Sequence, residues 1–140
     1  MAVTAKVMEF AGGIDADGRL VAEDGAEPIE AGDGWTPEHL VLAAVTRCSL
    51  SSLRYYATRA KVEMSGTGRA YGRVTARPED GRYAFVDVSV SLDVTLDPEP
   101  TPEVVAKLLR RAEDGCFIGQ SLRAKPAYTW VVNGQETATG

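Results

Sequence analysis

One stretch of the sequence, from Thr36 to about Arg59, predicts a helix that is long for a chain of 140 residues. Thr36 can cap the first amide groups, and Pro37 suits the first turn because the amide hydrogen that proline lacks has no helical partner there. At 1.5 Å per residue the helix is about 36 Å long. Residues 40–45 are apolar on every face, so we expect this end to be buried. Such a helix is expected to be central to the fold.

Alternating apolar and polar residues predict strands on both sides of this helix. The clearest alternation covers residues 82–97, where Val88, Val90 and Leu92 share one face and polar residues occupy the other. Weaker alternation predicts four more strands, at residues 5–10, 19–22, 67–77 and 128–132. We expect the Gly12-Gly13 pair to end the first of them. The half-polar pattern is typical of antiparallel sheets with one solvated face.

A second helix is predicted to begin at Thr101, where the Thr-Pro-Glu tripeptide of the first helix is repeated. Its apolar stripe is Val104, Val105, Leu108, Leu109 and Ala112. We expect Gly115 to end it in a left-handed conformation, followed by a short helix within residues 116–123. Strands, a long helix, strands, a helix and a strand make an α+β domain, and residues 1–140 suit one such domain.

Composition excludes several classes of function. The net charge is −5 and there is no basic cluster, so we expect no binding to nucleic acid. No apolar run reaches the roughly 18 residues of a membrane-spanning helix. The first residues lack the charged-then-apolar order of a signal peptide, which favours a cytoplasmic location with no membrane partner.

The two cysteines, Cys48 and Cys116, are the main candidates for chemistry. Cys48 lies in the apolar part of the long helix, and Cys116 follows the glycine that ends the second helix. Each could instead be a small buried apolar residue, as free cysteines often are. In the cytosol, however, a cysteine pair is more often catalytic or redox-sensing than structural. With His39 as the only histidine, the sequence lacks the ligands of a zinc site, and no metal or cofactor is expected.

Two polar residues of the first helical turn, Glu38 and His39, are further candidates. A carboxylate is favoured there by the helix dipole alone, and Glu103 occupies the same place in the second helix with no cysteine ten residues on. Ten residues of straight helix separate Glu38 from Cys48 by about 15 Å, so the two would need a bridging group or a helix break. His39 could act as a general base, but a solvated residue of the first turn explains it as well.

Three segments of the sequence resemble the OsmC/Ohr family, the osmotically inducible and organic-hydroperoxide-resistance proteins. The run Thr36-Pro37-Glu38-His39-Leu40 followed by Ala43-Ala44 and Cys48 resembles that family's "NPEELLAAAxxxC" segment, with the same spacing from glutamate to cysteine. Residues 112–122, which contain Gly115-Cys116, resemble its second cysteine segment. Residues 128–134 are similar to its "Y.w.vnG" ending. The resemblance covers roughly residues 34–134.

The resemblance implies an OsmC-like fold in which antiparallel sheets wrap around long central helices in an intertwined homodimer. It implies that Cys48 is a peroxidatic thiol and Cys116 the resolving thiol. In this family a glutamate, here Glu38, holds an arginine that lowers the pKa of the first cysteine. The family's "GGRDG" segment, which carries that arginine, reads Gly12-Gly13-Ile14 here, and Arg19 is the nearest substitute.

The function implied is thiol-dependent reduction of organic hydroperoxides, as part of an oxidative stress response. A Cys48 sulfenate would form first and a Cys48–Cys116 disulfide second, and a dithiol of the lipoyl type would restore both thiols. The absent family arginine leaves an alternative open: a non-catalytic dimer of the same fold that senses redox state or binds small hydrophobic molecules. A purely structural dimer is a third reading.

Overall fold

The computed structural model describes residues 5–139 and divides the chain into two compact units, Met1–Thr36 and Pro37–Gly140. In the first unit, strands β1 (Gly12–Ile14) and β2 (Leu20–Ala22) form an antiparallel hairpin. The strand predicted at residues 5–10 is wrong, because those residues pair with no other strand. Gly12 and Gly13, which were expected to end a strand, instead begin β1 and pair with Ala22 and Val21 of β2.

Helix α1 (Pro37–Arg59) has the predicted extent. Its fully buried residues recur every fourth position and form a single stripe: Val45, Ser49, Leu53 and Ala57. The expectation that residues 40–45 are buried is wrong for five of the six, since Val45 alone is buried and Ala43 is exposed. A helix packed on one side by its own chain buries one stripe, whatever the polarity of its other faces.

Four strands form the main sheet, in the order β3 (Glu63–Ala76), β4 (Tyr83–Asp97), β5 (Ala127–Val132) and β6 (Gln135–Thr137). β3 and β4 pair in antiparallel register, and the apolar face predicted for β4 is buried from Val88 to Leu96. β5 lies parallel to β4, so the sheet is mixed rather than antiparallel as predicted. The reason is that two helices connect β4 to β5 and return the chain to the same end of the sheet.

Side chains of the long helix lie close to two glycines of β3. A Cβ atom on Gly68 would lie 3.0 Å from the Cγ2 atom of Thr46, and one on Gly72 would lie 3.1 Å from a Cδ atom of Leu42. Side chains of β4 lie closer still, with Leu92 Cδ2 at 2.8 Å from a Cβ on Gly68 and Phe85 Cε1 at 2.5 Å from one on Gly72. The small size of both glycines therefore leaves room for side chains of β4 and of α1.

Helices α2 (Pro102–Asp114) and α3 (Phe117–Ser121) connect β4 to β5. The apolar stripe predicted for α2 is buried except at Val104, which is 39% exposed. Gly115 ends α2 with φ of −90°, so the left-handed conformation predicted for it is wrong. A Cβ atom there would lie 3.0 Å from the Ser52 hydroxyl oxygen, so Gly115 allows the end of α2 to pack against α1. No helix among residues 5–139 is both long and apolar enough to cross a membrane.

Candidate functional site

The first thiol, Cys48, is half-buried on α1 and faces the beginning of α3. Burial raises the pKa of the Cys48 thiol, and contact with the Cys116 side chain raises it further. The backbone N–H groups of Ile118 and Phe117 act in the opposite direction, because hydrogen bonds to sulfur favour the thiolate. None of these influences comes from a positively charged side chain. The net effect holds Cys48 as a neutral thiol at neutral pH in this chain.

The second thiol, Cys116, is completely buried at the junction of α2 and α3. It is the N-cap of α3, and its sulfur accepts a hydrogen bond from the Gly119 N–H at 3.3 Å. The Ser49 hydroxyl oxygen lies 3.6 Å from the same sulfur. Since Cys48 and Ser49 are neighbours on α1, this single turn of helix contacts Cys116 through both residues.

A tyrosine from β5 completes the surroundings of Cys116. A Cβ atom added to Gly119 would lie 2.8 Å from the Tyr128 hydroxyl oxygen and 3.3 Å from the Cys116 sulfur, so no larger residue fits between them. The Tyr128 ring stacks on that of Trp130, with centroids 6.2 Å apart. Burial raises the pKa of Tyr128 to about 12. The phenol therefore stays protonated over the whole physiological range.

The buried indole of Trp130 anchors β5 to α2. Its Nε1–H donates to a carboxylate oxygen of Glu113 at 2.8 Å, and the Thr139 hydroxyl donates to the same oxygen at 3.0 Å. Glu113 lies three residues before Cys116, so this contact holds the end of α2 and the Tyr128 strand together. The position of the Tyr128 hydroxyl therefore depends on the packing of two elements that are distant in sequence.

The structure brings Cys48 and Cys116 together, whereas Glu38 lies apart from them along α1. Glu38 is exposed in the first turn of α1, ten residues before Cys48 on an unbroken helix. His39 beside it is also exposed. Arg19 belongs to the N-terminal unit, where its Nε–H donates to Asp15 at 2.9 Å and a second nitrogen lies 3.5 Å from Asp17.

Two residues of the site, Ser49 and Tyr128, were not identified from the sequence as parts of it. Ser49 carried one available signal, since a serine on the buried stripe of a helix must find hydrogen-bond partners. Nothing in the sequence indicated that Tyr128 lies opposite it.

The arrangement supports thiol chemistry at one place. A half-buried thiol can be reached from solvent, and a fully buried thiol contacts it from behind. Across residues 5–139, no group of three or more His, Cys, Asp or Glu side chains is arranged to hold a metal ion. The reactive atoms available to this site are therefore two sulfurs, two hydroxyl oxygens and the amide hydrogens at the beginning of α3.

The class of protein that this fold defines is an α+β protein in which a long helix lies on a mixed sheet. The family model described as OsmC-like protein matches residues 30–131, and the chain belongs to that family. The match contains both cysteines and Tyr128. No curated protein matches the sequence.

Solved structures share the fold at low sequence identity. An OsmC-like protein of unknown function from Vibrio cholerae is 17% identical with a TM-score of 0.70, over 89% of this chain and 100% of that one. A putative organic hydroperoxide resistance protein from Vibrio cholerae, with captopril bound in one of its active sites, is 19% identical with a TM-score of 0.63, over 94% and 96%. The organic hydroperoxide resistance protein OhrB of Bacillus subtilis is 18% identical with a TM-score of 0.53, over 89% and 96%. At these identities the likeness establishes the fold.

Proposed function

We propose that this protein is a cytoplasmic peroxidase that reduces organic hydroperoxides with its two cysteines and a dithiol. The contact between the half-buried Cys48 and the buried Cys116 carries the proposal. Family membership supports it, because the similar structures include proteins named for resistance to organic hydroperoxides.

The proposed cycle has three steps. The Cys48 thiolate attacks the terminal oxygen of the hydroperoxide, the O–O bond breaks, and the alkoxide takes a proton and leaves as an alcohol. Cys116 then attacks the Cys48 sulfenic acid; the S–S bond forms, the S–O bond breaks, and water leaves. A dithiol of the lipoyl type exchanges with this disulfide, restoring both thiols and becoming a disulfide itself.

The first step needs a positively charged group beside the Cys48 sulfur. None of the groups that shift the pKa of Cys48 carries a positive charge. Attack requires the thiolate, whereas burial keeps the pKa of Cys48 raised. We assign the missing charge to Arg19, held by Glu38 in the assembled protein. The assembly would be an intertwined homodimer, and the partly exposed apolar residues at the beginning of α1 support a second copy there.

Three variants test the enzymatic cycle with cumene hydroperoxide as substrate and dihydrolipoamide as reductant. Cys48→Ser should abolish hydroperoxide consumption. Without dihydrolipoamide, Cys116→Ser should still consume about one equivalent and then stop, because Cys48 can be oxidised but no Cys48–Cys116 disulfide can form. If wild-type protein consumes no hydroperoxide, or if Cys48→Ser retains the wild-type rate, the proposal is wrong.

The charge assignment is tested separately by Arg19→Gln, with Arg82→Gln as a matched control because Arg82 is exposed on the turn between β3 and β4. We expect Arg19→Gln to slow Cys48 oxidation at pH 7 by about tenfold or more, which is the effect of one pKa unit on the thiolate fraction. The two variants should react alike at a pH above the thiol pKa. Equal rates at pH 7 would remove Arg19 from the site.

A groove between α1 and α2 favours a second candidate function, non-catalytic binding of small hydrophobic molecules. Its volume is about 590 Å³, within the range of small-molecule sites. Tyr55, Tyr56 and Leu108 supply its apolar surface, and three cations border it: Arg59, Lys107 and Arg111. An apolar ligand with a carboxylate fits this lining. Octanoate binding measured by calorimetry, weakened by Lys107→Glu but not by Lys125→Glu, would support this function; no measurable binding would reject it.

A further inference from the structure

Two buried hydroxyls beside Cys116 have no part in the cycle described above. They belong to Ser49 on α1 and Tyr128 on β5, and they approach the sulfur from different elements. Hydroxyls are commonly hydrogen-bonded when they are buried, so the direction of each O–H bond decides what it can do for the thiol.

The hydrogen bond that the Ser49 hydroxyl donates elsewhere favours its acting as an acceptor toward Cys116. The hydroxyl has one hydrogen, which it donates to the Val45 carbonyl oxygen at 2.7 Å. At 3.6 Å from the Cys116 sulfur, its oxygen is therefore left to accept the S–H hydrogen. That contact requires a protonated sulfur, so Ser49 stabilises Cys116 as a neutral thiol.

The Tyr128 hydroxyl has the opposite character. Its oxygen is shielded from solvent, and no well-formed hydrogen bond reaches it within residues 5–139, although both Ser49 and Cys116 are near enough to perturb its pKa. It is a protonated donor with no well-formed acceptor among the described residues, which is an unfavourable state for a buried group. A thiolate at Cys116 would give it that acceptor, and a hydrogen bond to a charged partner is stronger than one between neutral groups.

We propose that Ser49 and Tyr128 are positioning residues for the resolving thiol: Ser49 holds Cys116 as a neutral thiol in the reduced protein, and Tyr128, with the Gly119 N–H, holds the thiolate that attacks oxidised Cys48. The inference deepens the proposed function and rests on it. In that attack the S–S bond forms and the S–O bond of the sulfenic acid breaks. The proton that leaves Cys116 ends on the departing hydroxide, which becomes water.

The groups that titrate around this thiol come from three elements. Cys48 faces it from α1, and Tyr128 faces it from β5. Glu113 on α2 acts on Tyr128, where its charge raises the pKa of the phenol. Because the pKa of Tyr128 is raised to about 12, a pH profile between 6 and 9 reports on thiols rather than on the phenol.

An assay without hydroperoxide isolates the attack by Cys116. The aromatic disulfide DTNB reacts first with the half-buried Cys48 and releases one equivalent of its yellow thiolate. Cys116 then attacks the mixed disulfide on Cys48 and releases the second equivalent. The rate of this second release, followed from pH 6 to 9, measures how readily Cys116 becomes a thiolate next to Cys48.

We expect Tyr128→Phe to slow the second release about tenfold or more at pH 7 and to move the midpoint of its pH profile upward by about one unit. The first release should be unchanged. The phenyl ring retains the stacking on Trp130, and the control is Tyr83→Phe, which removes a hydroxyl from a side chain that is 78% exposed. Ser49→Ala should move the midpoint in the opposite direction, because it removes the acceptor that favours the neutral thiol.

Equal second-release profiles in Tyr128→Phe and the wild type would overturn the inference, as would shifts of the same sign in the two variants. A native protein that forms no mixed disulfide at Cys48 would also overturn it, since the thiols would not be in position to exchange. Loss of hydroperoxide consumption with an intact, tyrosine-dependent second release would reject the peroxidase function and leave the positioning role standing.

Discussion

The two long helices begin with the same Thr-Pro-Glu tripeptide and reach different degrees of burial. Helix α2 buries its apolar stripe within the chain, except at Val104, and exposes its charged face. Helix α1 is apolar over most of its first half, but only one stripe is buried. The comparison teaches that one copy of the chain is enough to bury most of the apolar stripe of α2. The apolar first half of α1 instead presents a further apolar face that one copy leaves partly exposed.

The largest expected effect tests the claim that both helices have a fully packed stripe. Leu53 on α1 and Leu109 on α2 are each completely buried. Replacing either by alanine should lower the free energy of unfolding by about 2–5 kcal/mol, since a cavity is added to the lost transfer energy. Val104→Ala, at the exposed edge of α2, is the control and should cost less than about 1 kcal/mol. Urea denaturation checks all three, and a small effect for Leu53 alone would mean that α1 is loosely packed.

The uncovered face of α1 predicts an effect on assembly. A glutamate in place of the exposed Ala43 should weaken self-association by about tenfold or more, because a charge would be buried between copies. Val104→Glu introduces the same charge on α2 and should leave association unchanged. Sedimentation velocity over a concentration series measures both variants. Dimerisation of Ala43→Glu at the wild-type concentration would mean that another surface joins the copies.

Alkaline pH tests the raised pKa values of two groups at the site, Cys48 on α1 and Tyr128 on β5. The folded pKa of Cys48 is raised, so the unfolded chain loses its thiol proton first as the pH rises. Stability should therefore be lost from the unfolded pKa of about 8.5 upward. Tyr128 should add a second loss between the ordinary tyrosine pKa of 10.0 and about 12. Denaturation midpoints of wild type and Tyr128→Phe from pH 8 to 11 test this; parallel curves would contradict the shift at Tyr128.

The smallest effect concerns the cap of α2. The Thr101 hydroxyl accepts a long hydrogen bond of 3.4 Å from the Val104 N–H. Thr101→Ala should cost about 0.5–1 kcal/mol, at the low end for an N-cap because of that length. Thr101→Ser, which retains the acceptor, should recover most of the loss in the same urea experiment. A serine variant as unstable as the alanine variant would mean that the methyl group, not the hydroxyl, is what α2 needs.

The sequence by itself determined the elements that have strong periodicity. The extent of α1, the alternating face of β4 and the stripe of α2 were all predicted, because each depends on local spacing that no other part of the chain can change. The N-terminal strand was misplaced, since a short strand needs a partner whose position is not a local property. The two thiols were identified as a pair through their family segments.

Only the tertiary structure decided what surrounds those thiols. Cys48 and Cys116 are 68 residues apart, and Tyr128 comes from a third element whose parallel pairing with β4 was not predicted. Hydrogen bonds between such groups depend on distances of a few tenths of an ångström, which arise from the packing of α1, α3 and β5. Residue type and spacing indicate which atoms are reactive; the packing sets which hydroxyl accepts from the sulfur and which can donate to it.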